Sequence, residues 1–376
     1  MLKLAYIIES LSPLLTGTTS SAQGLTLALK RRGVDLRIVA RCPDREAAAV
    51  ERRFEGLARL VKDSESRATF AQAIDNAVAW CDLAQISGVW DPSTRMAAAS
   101  VRRHGKPHIY SVRGMLDPRR LRDKWWKKWP YAVLLGRRTY ARASAVHALT
   151  PDEEGYLRQW RYHGPVFITP NGVELPQREA GPEPFYDACP QARGKRVLLY
   201  LSRIDRQKGG EELIRAFGQL AERYPDWLLV MAGNTQQPKF LQRVKELVQR
   251  EGWNGRIVFP GFLYEDARWS ALETAEIFTL PSYSEGFSNA ILEALAWNCA
   301  CLITPHCSFP DVVECGAGLS VEPAVETLTG ALEELLSSPA ETLAGMARKG
   351  RALVEARYTW DAVAAQMIEQ YRKILT

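Results

Sequence analysis

Two carboxylates, Glu285 and Glu293, bracket the stretch Ser284-Glu285-Gly286-Phe287-Ser288-Asn289-Ala290-Ile291-Leu292-Glu293-Ala294. An apolar run, Ile277-Phe278-Thr279-Leu280, closed by Pro281, precedes it. This pattern predicts a buried strand that empties into a tight turn and then into a helix. Gly286 lets the backbone come close to a ligand, and Ser288 or Asn289 can cap the helix. Amides of a first helical turn have no intrahelical partner and carry the positive end of the helix dipole, so they suit a phosphate. Carboxylates suit the hydroxyls of a sugar. One site with both kinds of group points to a nucleotide-sugar.

A second charged segment lies upstream: Leu199-Tyr200-Leu201-Ser202-Arg203-Ile204-Asp205-Arg206-Gln207-Lys208-Gly209-Gly210 reads as strand, short basic loop and helix. Arg203 and Lys208 then stand at the carboxyl end of a strand, where positive charge can meet a diphosphate; a solvated basic loop is the alternative. Near the amino terminus, Pro13-Leu14-Leu15-Thr16-Gly17-Thr18-Thr19-Ser20 lacks the GxGxxG and GK[ST] patterns. It indicates only that a small-residue loop starts a helix. The seven cysteines form no CxxC pair. Cys299, Cys301, His306 and Cys307 do not match the spacing of zinc templates, so the cysteines read as reduced, buried thiols of a cytoplasmic protein. No Asp-x-Asp metal motif is present.

The elements that must position these groups alternate along the whole chain. Strand-like runs fall at Leu2–Ile8, Val34–Ala40, Leu83–Ser87, His108–Val112, Ala145–Leu149 and Val166–Thr169. After the polar, Pro-rich stretch 176–190 they restart at Arg196–Leu201, Trp227–Ala232, Arg256–Phe259, Glu276–Leu280, Ala300–Thr304 and Leu319–Val321. Amphipathic helical segments separate them, as with the stripe Leu213, Ile214, Phe217, Leu220 and Ala221. Repeated βα units imply parallel sheets wrapped by helices, each with a ligand crevice at the strands' carboxyl ends. At 376 residues the chain exceeds one ordinary core. Two doubly wound α/β domains are expected, 1–170 and 171–357, with Pro170-Asn171-Gly172 as turn or hinge. No apolar run approaches the roughly 20 residues that span a bilayer, and Met1 to Ile8 reads as strand one and not as a signal peptide.

In this order the segments resemble the retaining nucleotide-sugar glycosyltransferases of family 4. The likeness rests on Pro170-Asn171-Gly172-Val173, Leu201-Ser202-Arg203-Ile204, Lys208-Gly209, Ala232-Gly233 and Arg256-Ile257-Val258-Phe259-Pro260-Gly261-Phe262. It continues through Leu280-Pro281-Ser282, Ser284-Glu285-Gly286-Phe287 and Glu293-Ala294-Leu295-Ala296, with looser matches at Gly88-Val89-Trp90 and Ser111-Val112-Arg113-Gly114-Met115-Leu116. The resemblance implies the GT-B fold, two Rossmann-like domains facing each other across a cleft, with a C-terminal helix, 358–376, crossing back onto the first. It implies hexosyl transfer without a metal or other cofactor, the nucleotide-diphosphate sugar being a co-substrate, with UDP preferred over GDP on family frequency. Arg203 and Lys208 would neutralise the leaving diphosphate, and Glu285 would face the donor sugar. Gly286, Phe287, Ser288 and Asn289 would offer amides, Glu293 would bind the ribose hydroxyls, and backbone near Phe262 would read the base. Three departures stand out. Gly17 is the lone glycine after strand one where the family has a pair. Arg113 replaces a frequent His and, being always charged, can hold a phosphate or a sugar hydroxyl but cannot act as a base. Asn298 replaces the glycine at a helix end, a position it tolerates.

Residues 1–170 carry a net charge of +12 and the remainder −6. Nine Lys and Arg crowd into 119–142, interleaved with Trp125, Trp126 and Trp129 and including Lys127 and Lys128. A helix there would set indoles and basic stems at an anionic lipid interface. A solvated basic helix is the alternative, and nucleic-acid binding lacks a recognised module. The resulting expectation is a cytoplasmic transferase, peripheral on the inner face of the membrane. It would act on a saccharide or lipid-linked acceptor in bacterial surface-polysaccharide synthesis. Its rivals are an inverting transferase using Asp91 or Asp117 as base, a nucleotide-sugar epimerase, a phosphorylase, or a two-domain binding protein without chemistry.

Overall fold

The computed structural model describes residues 1–12, 16–118, 140, 142–177 and 179–376, apart from the side chains of Thr16 and Glu265. Trp125, Trp126, Lys127, Lys128 and Trp129 of the basic aromatic segment lie outside the described residues. The chain divides into two compact units, Met1–Gly172 with Trp360–Thr376, and Val173–Thr359.

The first unit holds a seven-stranded, wholly parallel sheet. Its strands are β1 (Lys3–Ser10), β2 (Asp35–Cys42), β3 (Ala58–Lys62), β4 (Leu83–Ser87), β5 (His108–Ser111), β6 (Ala145–Ala148) and β7 (Val166–Ile168), in the order β3-β2-β1-β4-β5-β6-β7. Alternate residues of β1 feed two cores. Leu4, Tyr6 and Ile8 pack with Leu25 and Leu29 of helix Thr16–Arg31, whereas Ala5 and Ile7 pack with Phe70, Ile74 and Val78 of helix Arg67–Trp80. That alternation is the period-2 geometry of a strand buried on both faces.

The C-terminal helix Trp360–Leu375 completes the first of these cores with Trp360, Val363, Met367 and Tyr371. Gly24 and Gly172 let the Trp360 indole in, because a Cβ at either position would overlap the ring or its backbone. Where the chain crosses between units, Val173 N–H donates to the Tyr358 carbonyl at 2.8 Å.

A directional chain of buried hydrogen bonds crosses this sheet. Tyr371 hydroxyl donates to Gln85 Oε1, and Gln85 Nε2 donates to Ser111 Oγ at 2.9 Å. Ser111 lies 3.0 Å from His147 Nδ1, and His147 Nε2 lies 2.8 Å from the Thr169 carbonyl. A carbonyl only accepts, so Nε2 carries the proton and Nδ1 accepts from Ser111. Burial pushes the His147 imidazole down to about 4.

The second unit repeats the design with a six-stranded parallel sheet. It consists of β8 (Arg196–Leu201), β9 (Trp227–Ala232), β10 (Ile257–Gly261), β11 (Ile277–Leu280), β12 (Ala300–Ile303) and β13 (Gly318–Ser320), ordered β10-β9-β8-β11-β12-β13. The expected stripe Leu213, Ile214, Phe217 and Leu220 is the buried face of helix Gly210–Leu220. Cys299, Cys301 and Cys307 are buried free thiols, and burial pushes Cys299 up to about 12 and Cys307 up to about 11. Among the described residues, no group of His, Cys, Asp and Glu could hold a metal ion, and no helix is long and apolar enough to cross a membrane.

His147 makes stability pH-dependent in a fixed direction. The unfolded imidazole titrates near 6.5 and the folded one near 4, so the unfolded state binds more protons between those values. Its contribution is complete above about 6.5 and falls away toward 4, on the order of 3 kcal/mol over the window. Urea midpoints measured from pH 7 to 4 will show this fall, and His147→Gln will remove that component.

Candidate functional site

In each sheet the strand order reverses once, between β1 and β4 in the first unit and between β8 and β11 in the second. Loops leaving neighbouring strands diverge at such a point and open a crevice at the carboxyl ends. The two charged segments of the sequence are the loops after β8 and β11, and the second switch point brings them together.

Lys208 Nζ donates to Glu285 Oε1, and the two side chains are only 10% and 8% exposed. Ser282 hydroxyl donates to the same Glu285 oxygen at 2.9 Å, and Glu285 N–H donates to the His306 carbonyl at 2.9 Å. Tyr283 N–H reaches Gln207 O at 2.9 Å, tying the β11 loop to the β8 loop. Gly209 makes that approach possible. Its φ is +67°, and a Cβ there would overlap the Pro281 carbonyl, so no other residue fits. Thr304 hydroxyl closes the arrangement by donating to Ser282 O at 2.5 Å.

Arg203 stands at the mouth of the same loop with a 40% exposed side chain. Its Nη1 donates to Asp205 Oδ2 at 2.6 Å and to Gln236 Oε1 at 2.7 Å. Asp205 is buried, and its other oxygen accepts from Thr235 Oγ1 at 2.9 Å and Gln236 N at 3.0 Å. The guanidinium is thus fixed by two acceptors that sequence reasoning missed. Asp205, two residues from Arg203, was in plain view; Gln236 carried no signal.

The helix after β11 runs Asn289–Ala296 with Ser288 at its N-cap, and no side-chain hydrogen bond caps it. Ser288 therefore occupies the capping position without capping, and Asn289 is the first helical residue. The Phe287 ring packs 5.2 Å from Phe309 and 6.2 Å from Tyr358, centroid to centroid. Asn298 ends the helix at φ +59°, the left-handed geometry it was expected to accept.

Glu293 is buried in the middle of this helix, and Arg268 Nη2 donates to its Oε2. Burial raises the Glu293 carboxyl, and Arg268 partly opposes that. Arg268, on helix Glu265–Thr274, gave no hint in the sequence. Its guanidinium also lies 4.7 Å from the Trp269 ring, and Trp269 stacks with Trp297. Phe262 follows β10 directly, is 37% exposed, and meets the exposed Tyr264 ring edge-on at 4.6 Å.

The remaining candidates belong to the first unit. Gly17 lies in the first turn of its helix and not in a loop, with open space where a Cβ would stand. Arg113 has φ +48°, and its Nη2 donates to Tyr6 Oη at 2.8 Å. Asp91 precedes helix Pro92–His104, and its carboxyl is raised by burial and then by Glu9. Asp117 is buried.

Two doubly wound parallel sheets in one chain, the second with a charged switch point, define the GT-B architecture. Residues 188–353 match the model of the glycosyl transferases group 1 family, and residues 16–172 match the glycosyl transferase 4-like domain. The chain belongs to this family-4 type of GT-B glycosyltransferase. An uncharacterized glycosyltransferase of Methanocaldococcus jannaschii is 26% identical over 182 residues, covering 47% of this chain and 45% of that protein. The serotype-specific mannosyltransferase WbdA of Escherichia coli is 28% identical over 184 residues, covering 47% of this chain and 22% of WbdA. The chain thus spans less than half the length of these curated relatives. Anabaena HepE, solved in complex with UDP and glucose, shares the fold at a TM-score of 0.80 and 16% identity, over 99% of this chain and 100% of that one.

The Arg268–Glu293 pair yields a stability prediction. Arg268→Ala leaves a buried carboxylate uncompensated and should cost about 3 kcal/mol. Adding Glu293→Gln should restore part of the loss in urea melts, because it removes the orphaned charge.

Proposed function

We propose that the protein transfers a hexosyl group from a nucleoside-diphosphate sugar to a saccharide or lipid-linked saccharide acceptor, with retention at the anomeric carbon. The observation that carries this reading is the buried Lys208–Glu285 pair at the switch point of the second unit. A cation and a carboxylate held side by side match the two charges that develop when a glycosidic bond to a diphosphate breaks. Lys208, with Arg203 beside the same loop, neutralises the leaving diphosphate, and Glu285 faces the ring that becomes cationic. The amides of 286–289 contact phosphate and sugar. Glu293 takes the ribose hydroxyls, and backbone near Phe262 reads the base. In the reaction the C1–O bond to the diphosphate breaks and a bond from C1 to an acceptor oxygen forms. The acceptor's proton passes to the departing phosphate oxygen, so no metal and no protein nucleophile is called on.

UDP is the preferred nucleotide, in keeping with the UDP bound by HepE. Surface-polysaccharide synthesis is supported by the name of WbdA. Inversion is the second reading, and the raised carboxyl of Asp91 is what favours it, since a base tuned toward neutrality suits general-base catalysis. The basic aromatic sequence 119–142 supports a membrane-peripheral location on an anionic surface; flotation with phosphatidylserine vesicles should be lost when Trp125, Trp126, Trp129, Lys127 and Lys128 are replaced by serine.

Glu285→Gln should lower kcat by about 10²–10³ without weakening UDP binding, since it frees Lys208 from its competing carboxylate. Lys208→Ala should weaken UDP binding and rate together. Calorimetry and transfer assays check both, and the anomeric coupling constant of the product decides retention against inversion. Full turnover by Glu285→Gln would remove that residue from the chemistry.

A further inference from the structure

Arg113 combines two energetic costs that ordinary surface arginines avoid. It follows β5 in a turn closed by Met115 N–H donating to Val112 O at 3.0 Å, and its own φ is +48°. A residue with a Cβ pays roughly 1–2 kcal/mol for that left-handed conformation. The neighbouring Gly114, at φ +71°, is pinned by its N–H to Glu153 Oε1. The second cost is electrostatic. Arg113 Nε is shielded from water and has no hydrogen-bond partner, and Nη2 is satisfied only by the neutral Tyr6 hydroxyl.

Half-buried Arg196 meets Glu276 at 2.6 Å and Arg268 meets Glu293, whereas Arg256, its Nε likewise without a partner, is held by the carbonyls of Tyr224 and Trp227 at 2.6 and 2.9 Å. Among the described residues Arg113 meets neither a carboxylate nor a carbonyl. The buried carboxylate of the same turn, Glu153, is occupied by the amides of Gly114 and, at 2.7 Å, Leu149. Behind the guanidinium lie neutral groups, Tyr6 and the buried relay of Tyr371 and His147, and its field helps to hold the imidazole unprotonated. A left-handed backbone that carries an uncompensated guanidinium just after a strand's carboxyl end leaves a charge that an anion would satisfy.

We infer that Arg113 binds a phosphoryl oxyanion carried by the acceptor. A guanidinium presents a planar fork that grips phosphate through two parallel hydrogen bonds, which an ammonium cannot do. Assignment to the acceptor rests on the proposed function, which gives the donor diphosphate to Lys208 and Arg203 in the second unit. The surplus of basic residues in 1–170 is consistent with an anionic acceptor on the first unit. Either a sugar phosphate or the pyrophosphate of a lipid-linked saccharide supplies the same chemistry.

The test is calorimetric titration of the whole chain with glucose 6-phosphate, inorganic pyrophosphate, glucose and UDP. It compares the unaltered protein with Arg113→Gln, Arg113→Lys and Lys208→Ala. Gln removes the charge and the guanidinium fork while keeping an unbranched polar side chain, and thermal melts check that each variant is folded. At least one phosphorylated probe should bind the unaltered protein. Its affinity should drop about tenfold or more in Arg113→Gln, since a charged bidentate contact contributes more than 1.4 kcal/mol, with Lys intermediate. Glucose should not respond to the charge, and UDP should respond to Lys208→Ala but not to Arg113→Gln. Preference for glucose 6-phosphate assigns a phosphomonoester acceptor, and preference for pyrophosphate assigns a diphosphate one. Equal affinity of phosphorylated probes for Arg113→Gln and the unaltered protein would overturn the inference, as would no binding of either probe, or a loss confined to UDP. If UDP binds through Lys208 and Arg113→Gln changes nothing, the receptor fails and the donor reading stands. If UDP does not bind but a phosphorylated probe depends on Arg113, the donor reading fails and the receptor stands.

Discussion

The second unit is organised around one expensive interaction, the ion pair of Lys208 and Glu285 beneath the switch point. Removing both charges from water costs several kcal/mol each, and that cost is recovered only with close pairing and further hydrogen bonds. Ser282 and the His306 carbonyl supply them. Gly209 brings the β8 loop against Pro281 so that the pair can form, and Tyr283 and Thr304 hold the two loops in that position. A hydrophobic pair of the same volume would serve stability as well or better. The retention of charge is therefore a functional argument: a diphosphate arriving at this loop finds a lysine already desolvated and oriented, and needs only to compete with one carboxylate oxygen for it.

The first unit handles its buried polar groups in the opposite way. Gln85, Ser111, His147 and Tyr371 form a neutral, directional relay that links three strands and the C-terminal helix, with every proton assigned by its acceptor. This relay rigidifies the sheet face on which the Trp360 helix rests. Trp360 itself is admitted by Gly24 and Gly172, so the helix that follows the second unit in sequence is built into the core of the first. Beside that neutral relay Arg113 brings a charge, its Nη2 donating to Tyr6.

Strand positions were legible because both sheets are buried on both faces, so their strands read as apolar runs. The one missed is β3. Its sequence, Ala58-Arg59-Leu60-Val61-Lys62, buries only Ala58 and Val61 at the sheet edge and exposes Arg59 and Lys62, charges of the kind edge strands use against mispairing. Lys208 and Glu285 were legible as types at the ends of strands, since a parallel fold must bring such ends together at its switch point. Their mutual hydrogen bond was not, because it depends on the closeness of two loops 77 residues apart in sequence. Arg268 was invisible for the same reason, as was the role of Asp205 in anchoring Arg203. The place of the Phe287 ring was not legible either, because the cluster it forms with Phe309 and Tyr358 brings together residues far apart in sequence.

A crystal structure of the protein grown with UDP is the decisive measurement. The diphosphate should lie at the carboxyl ends of β8 and β11, with a phosphate oxygen within hydrogen-bonding distance of Lys208 Nζ and the ribose hydroxyls at Glu293. A diphosphate bound elsewhere, with the Lys208–Glu285 pair undisturbed and out of its reach, would contradict it.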